Sequence, residues 1–295
     1  MVMTQRLSLS LPRVAERVDR GVGGALRDAG ARLVEWRHEI ARRGALAFQA
    51  RPSEARGPAL PRLLSELKTP YELWRAGRRE PCVAPPPGLS RPVMLLPGFG
   101  THPVRMKGLR RALEHAGHRV SDWGLGFNFG PSEDRFDRLC ERVVMLARRE
   151  GQPLVLVGWS LGGLFALEIA HRHPDAVAMV ITMGSPFSGD RRANNAWRAY
   201  QLITGHLVDT PPVGDRCFGV KPPVPTIALW SARDGIVSPR SACGRPGERD
   251  LAVALRCTHL GFAGHPAVAR TLVMQIATMD QGNLQGNRVS LITER

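Results

Sequence analysis

Residues 154–172 read LVLVGWSLGGLFALEIAHR, and within them one serine, Ser160, stands between Gly158 and Gly162. A serine hydroxyl is a weak nucleophile until a neighbouring base takes its proton and a third group orients that base. Side chains suited to both tasks lie downstream. Asp234 sits in TIALWSARDGIVSP, with Asp209 and Asp215 as weaker rivals, and His259 and His265 both lie in RCTHLGFAGHP. Serine, carboxylate and imidazole together would carry out acyl transfer. Each has a plainer use: Ser160 as a helix cap, Asp234-Gly235 as a turn, and His265 before Pro266 as a helix-end residue.

The elements around Ser160 decide how these uses are weighed. Leu154, Val155, Leu156 and Val157 form an apolar run without polar alternation, the pattern of a strand buried on both faces of a parallel sheet. Phe165, Ala166, Ile169 and Ala170 follow at helical spacing. A strand must therefore become a helix within about three residues, and glycines on both sides of Ser160 remove the side chains that would clash in so sharp a turn.

The same alternation runs through the chain from Pro92. VMLL is a strand, MKGLRRALEHAG a helix, HRVSDWG a strand, and SEDRFDRLCERVVMLARREG a helix opened by Ser132 and closed by Gly151. AVAMVITMG, TIALWS and LAVALRC are further strands, and HPAVARTLVMQIATM is the last helix. Strands alternating with helices predict an α/β fold, a mostly parallel sheet covered by helices on both faces. Ahead of this, residues 13–50 carry Val14, Val18, Leu26, Leu33, Trp36 and Ile40 at roughly helical spacing, interrupted by Gly21, Gly23 and Gly24, which predicts two helices. LPRLLSELKTPYELW predicts another short helix, and EPCVAPPPGLSRP a proline-rich connector. The expected division is an N-terminal helical extension over residues 1–91 and the α/β domain over residues 92–295.

Composition narrows the classes. The 295-residue chain is 43% hydrophobic, enough for a sizeable core, and has no run of eighteen apolar residues. Five scattered cysteines without CxxC spacing indicate neither a disulfide framework nor a zinc site, although Cys217 and Cys243 could pair. The net charge is +15, with 3 Lys among the 41 basic residues, and residues 1–90 contribute +7 of it. The basic residues are interspersed with acids and form no recognisable nucleic-acid motif, so no nucleic-acid partner is expected. The excess of arginine in residues 1–80, next to apolar helical positions, would suit peripheral contact with an anionic membrane. The expected location is the cytoplasm, with the inner membrane surface as the place of any such contact.

Gly158-Trp159-Ser160-Leu161-Gly162 resembles the G-x-S-x-G nucleophile elbow of the α/β-hydrolases, here preceded by a strand and followed by a helix. The resemblance covers roughly residues 92–279, including WGLGFNFGP and ITMGSPFSG, and is to bacterial serine esterases and lipases. It implies the chain order serine, acid, histidine, hence Ser160, Asp234 and His259. Thr258-His259-Leu260-Gly261 resembles the S/T-H-x-G loop of those enzymes, which favours His259 over His265. Pro97-Gly98-Phe99-Gly100 resembles their oxyanion loop, with proline where many relatives have histidine. The implied oxyanion donors are the backbone amides of Phe99 and Leu161. Residues 188–222 would form a cap or lid, and Trp159 would line the substrate pocket. The implied activity is hydrolysis of a small-molecule carboxylic or lipid ester through an acyl-enzyme, with no metal and no cofactor. The alternatives are an acyltransferase or thioesterase on the same triad, or a non-catalytic scaffold.

Overall fold

The computed structural model describes residues 14–77, 90–213, 218–280 and 289–291. Cys82, Asp215 and Cys217 lie outside the described residues, and with them the pairing of Cys217 to Cys243. Cys140, Cys243 and Cys257 are free thiols. The chain divides into two units, Met1–Ala45 and Leu46–Arg295.

One helix, α1 (Val14–Ala47), runs unbroken through Gly21, Gly23 and Gly24, in place of the two helices expected. Each glycine weakens a helix by about 1 kcal/mol relative to alanine but leaves its backbone N–H in place, so without a proline nothing compels a stop. Within α1, Leu33, Trp36 and Ile40 are exposed, and Glu39 pairs with Arg42 and Arg43.

The second unit is built on an all-parallel sheet of seven strands in the order β2-β1-β3-β4-β5-β6-β7. The strands are β1 (Pro92–Leu96), β2 (Arg119–Asp122), β3 (Leu154–Trp159), β4 (Val177–Met183), β5 (Thr226–Ser231), β6 (Leu251–Leu255) and β7 (Val289–Leu291). The first six fall on the runs that the sequence marks as strands, and β7 was not foreseen. Alternation sorts the side chains between the two faces. Val93, Leu95, Val155, Val157 and Trp159 enter one core, against α4 (Lys107–His115) and α9 (Pro266–Asp280). Met94, Leu96, Leu154 and Leu156 enter the other, against α5 (Glu133–Glu150) and α6 (Leu161–Arg172). Both faces are covered, which is why the central strands read as continuous apolar runs. No helix among the described residues is long and apolar enough to cross a membrane.

Strand β1 lies between β2 and β3, so the loop after β1 and the loop after β3 leave the sheet in opposite directions. In open parallel sheets such a switch point opens a crevice at the carboxyl ends of the strands. Pro97–Gly100 and Ser160 both lie there.

The division into units falls after Ala45, whereas the sequence reading separates the extension at the connector ending at residue 91. Residues 46–77 belong with the sheet. They comprise the end of α1, then α2 (Leu60–Ser65), a short 3-10 turn (Glu66–Lys68) and α3 (Thr69–Gly77). Arg51 Nη2 donates to the Asn194 carbonyl at 3.1 Å, and Asn195 Nδ2 donates to the Pro58 carbonyl at 3.0 Å. Hydrophobic spacing carries no record of such polar ties.

Candidate active site

Ser160 lies between the last residue of β3 and the first residue of α6, and its backbone has φ 53° and ψ −119°. It is the only non-glycine residue with positive φ among the described residues. Such a conformation costs on the order of 1–3 kcal/mol and persists only where its surroundings enforce it. Here the Ser160 N–H donates to the Met183 carbonyl at 2.9 Å, and the Ser160 carbonyl accepts from Gly163 N–H at 3.0 Å. The flanking glycines are fixed by close approach. A Cβ on Gly162 would lie 2.3 Å from the Leu96 carbonyl oxygen, and one on Gly158 would lie 2.4 Å from the Gly163 backbone. Because these obstacles are backbone atoms of the strand and the helix, they cannot swing aside. Gly162→Ala is therefore expected to destabilise the fold by about 1–3 kcal/mol, read as a lower urea midpoint; an unchanged midpoint would mean that the turn has room to spare.

Asp234 follows β5 and His259 follows β6, so the sheet brings them together: His259 Nδ1 and Asp234 Oδ2 are 2.7 Å apart, and both side chains are buried. Asp234 Oδ1 accepts the N–H groups of Ile236 at 2.8 Å and Val237 at 2.7 Å, which fixes the carboxylate in its turn. Gly184 passes close by, where a Cβ would stand 3.0 Å from Asp234 Oδ2 and 3.1 Å from His259 Nδ1. Burial alone pushes the His259 pKa down, but the Asp234 charge, its hydrogen bond and the Glu66 charge outweigh it, and the pKa is raised. Ser160 Oγ makes no hydrogen bond among the described residues, a common state before substrate tightens such contacts.

Among the described residues, the rival acid Asp209 and the rival base His265 have other partners. Asp209 is held in an ion pair with Arg192. His265 Nδ1 accepts from Ala267 N–H at 3.2 Å at the start of α9, which is the helix-end use of that histidine.

The loop after β1 is tied down by its neighbour. Gly100 N–H donates to the Asn128 carbonyl at 2.7 Å, Asn128 Nδ2 donates to the Pro97 carbonyl at 2.7 Å, and Thr101 N–H donates to the Gly98 carbonyl at 3.2 Å. The Phe99 N–H is left without a partner among the described residues. Leu161 opens α6, and the first N–H groups of a helix have no intrahelical acceptor. Two unengaged amides thus stand at the switch point beside Ser160. Asn128, wholly buried in WGLGFNFGP, is a site residue that the sequence marks only as part of a similar segment.

Above Ser160 lies a mainly apolar cavity that opens to solvent. Phe99, Leu164, Phe187, Trp197, Tyr200 and Val213 are among the residues lining it. Trp197 and Tyr200 belong to α7 (Trp197–Thr204), and the Tyr200 ring packs 5.6 Å from that of Phe99. Trp159 does not line this cavity, contrary to the expectation. Strand alternation turns it to the other face of the sheet, where its Nε1 donates to the His259 carbonyl at 3.1 Å and its ring lies 5.9 Å from the imidazole. Trp159 supports the histidine loop.

Glu66 was also missed as part of the site. Its carboxylate is buried and accepts backbone N–H groups from both the Asp234 loop and the His259 loop. In the sequence it is one acid inside the mixed segment LPRLLSELKTP, and nothing in that spacing distinguishes it from a solvent-facing helix residue.

Residues 91–203 match the sequence model of the alpha/beta hydrolase fold. The chain is 40% identical over 58 residues to the biotin biosynthesis bifunctional protein BioHC of Teredinibacter turnerae, a match covering 19% of this chain and only 10% of that protein. It is similar to the structure of a monoacylglycerol lipase from Paleococcus ferrophilus, at 16% identity, TM-score 0.46, 65% of this chain and 96% of that one. It is similar also to an extracellular alpha/beta-hydrolase from a Paenibacillus species, at 14% identity, TM-score 0.43, 63% of this chain and 98% of that one. The residues that match that model, 91–203, hold β1 to β4 and the strained serine turn between β3 and α6, and the parallel sheet they belong to has the architecture of the α/β-hydrolase fold.

Proposed function

We propose that the protein is a serine hydrolase that cleaves carboxylic esters with apolar acyl groups. The observation that carries this reading is the buried Asp234–His259 hydrogen bond at the end of the same sheet that strains Ser160 into its turn. Ser160 Oγ attacks the ester carbonyl while His259 Nε2 takes the hydroxyl proton. The negative oxygen that develops is held by the Phe99 and Leu161 amides. Collapse of the tetrahedral intermediate breaks the bond to the alcohol oxygen, which leaves with the proton returned by His259. Water, deprotonated by His259 in turn, attacks the acyl-enzyme and releases the acid. The apolar cavity above Ser160 supports an apolar acyl group, because it offers contact area and few polar partners.

A panel of p-nitrophenyl esters of increasing acyl length, run beside acyl-thioesters, tests the reading. Ester turnover is expected to rise with acyl length as the chain fills the cavity, at about 0.8 kcal/mol per buried methylene at most. Turnover confined to thioesters, or transfer to an acceptor in preference to water, would replace ester hydrolysis with another acyl-transfer activity.

The pH profile follows from the charges around His259. Its pKa is raised, and the imidazole must be neutral to accept the serine proton. As pH falls through that raised value, kcat/KM must fall, so its acid limb is expected above the ordinary histidine value of about 6.5. A limb well below that value would mean that His259 is not the base.

A further inference from the structure

Leu63 and Leu64 precede Ser65-Glu66 and Leu67 follows it, so a carboxylate falls among three leucines. Burying a carboxylate is costly unless hydrogen bonds replace its water. Glu66 is only 5% exposed. Its Oε1 accepts the N–H of Gly235 and the N–H of His259, both at 2.8 Å, and its Oε2 accepts the N–H of Leu260 at 2.9 Å. One side chain therefore grips the turn that carries Asp234 and the turn that carries His259.

The rest of the segment is shaped to the same two loops. Thr69 Oγ1 donates to the Glu66 carbonyl or shares a hydrogen with Thr258 Oγ1, with 2.7 Å to each. Gly235 lies so close to α2 that a Cβ there would stand 2.2 Å from the Arg62 carbonyl oxygen. Packing alone would need only apolar side chains here. A carboxylate adds two things that packing cannot: acceptors for three amides of irregular loops, and a negative charge near the imidazole.

We propose that Glu66 is a positioning residue of the active site, holding the Asp234 and His259 loops in one frame and adding its charge to the support of the histidine. The kinetic part of this proposal rests on the ester-hydrolase reading; the structural part does not. The charged and titratable groups that bear on the site are Asp234 and Glu66 at the imidazole, and the buried Cys257 thiol with Glu72 and Arg233 close to it. Glu66 reaches the site from the segment before β1, outside the residues matched to the family. The support of this acid–base pair is therefore supplied by a part of the chain that the sequence reading sets aside as an extension.

The test uses the full chain, with Glu66→Gln and Glu66→Ala. Glutamine keeps an oxygen for Gly235 and His259 but sets an NH₂ against the Leu260 N–H and removes the charge. Glu66→Ala is expected to lower kcat on short p-nitrophenyl esters about 100-fold, as a displacement of order 1 Å would. KM should stay within about threefold, since the acyl cavity is untouched. Glu66→Gln should recover part of kcat, about tenfold over alanine, because one oxygen remains. The titration of the His259 imidazole, followed by NMR and assigned by its loss in His259→Ala, should move to lower pH in Glu66→Gln, because a negative charge that favours the imidazolium is removed. If alanine does not fold, the glutamine variant carries both measurements. A folded Glu66→Gln whose kcat and His259 titration both match the wild type would overturn the proposal. So would a lost kcat with an unmoved titration, which would leave Glu66 a packing residue only. Should the wild-type protein turn over no ester and show no Ser160-dependent labelling, the ester reading fails by itself, and the titration alone decides whether Glu66 supports His259.

Discussion

Ser160→Ala is expected to lower ester turnover by about a millionfold and to abolish labelling by a fluorophosphonate probe, with the fold unchanged. The substitution removes one oxygen. That oxygen makes no hydrogen bond among the described residues, so its loss leaves no buried donor or acceptor unpaired. Alanine and serine both carry a Cβ, and the strain at φ 53° is nearly the same for each. The stability change should therefore stay within about 0.5 kcal/mol. A labelled and active alanine variant would move the nucleophile to another residue; a variant that unfolds would show that the turn depends on the hydroxyl for its shape.

What the sequence made legible follows from which signals are local. The strands β1, β3, β4, β5 and β6 are apolar runs because both faces of the sheet are covered, and that burial leaves its mark on consecutive residues. The serine turn is equally local: strand, glycine, serine, glycine and helix occupy one short stretch. Asp234 and His259 could be chosen as positions after strands, but only the parallel order of β5 and β6 sets their side chains 2.7 Å apart. Trp159 went to the wrong place for a related reason. Alternation groups it with Val155 and Val157, yet nothing in the sequence says which of the two faces holds the cavity. Glu66 lay further out of reach. Its three donors come from residues 169 to 194 positions away, and no period of 2 or 3.6 encodes a contact at that distance. The glycines of α1 show the reverse error, in which a local signal was given more force than it has: three of them weaken a helix without ending it.

Asp234→Asn is expected to leave a folded protein whose turnover falls by about ten-thousandfold. The reason lies in the different partners of its two oxygens. Oδ1 accepts from the Ile236 and Val237 amides, whereas Oδ2 faces His259 Nδ1. An asparagine placed here must choose an orientation. With its NH₂ toward the amides it would set donors against two buried donors, so its oxygen stays in the Oδ1 position. Its NH₂ then points at His259 Nδ1, which can only accept. The neutral imidazole is forced to carry its hydrogen on Nε2, the atom that has to take the serine proton, and the base is lost while the geometry remains. Tautomer and turnover should therefore change together, while the urea midpoint moves little because both side-chain positions keep a hydrogen bond. NMR of the labelled histidine distinguishes the tautomers directly. A variant with the wild-type tautomer and near-normal turnover would place the acid elsewhere, whereas one with the changed tautomer and full activity would remove His259 from the reaction.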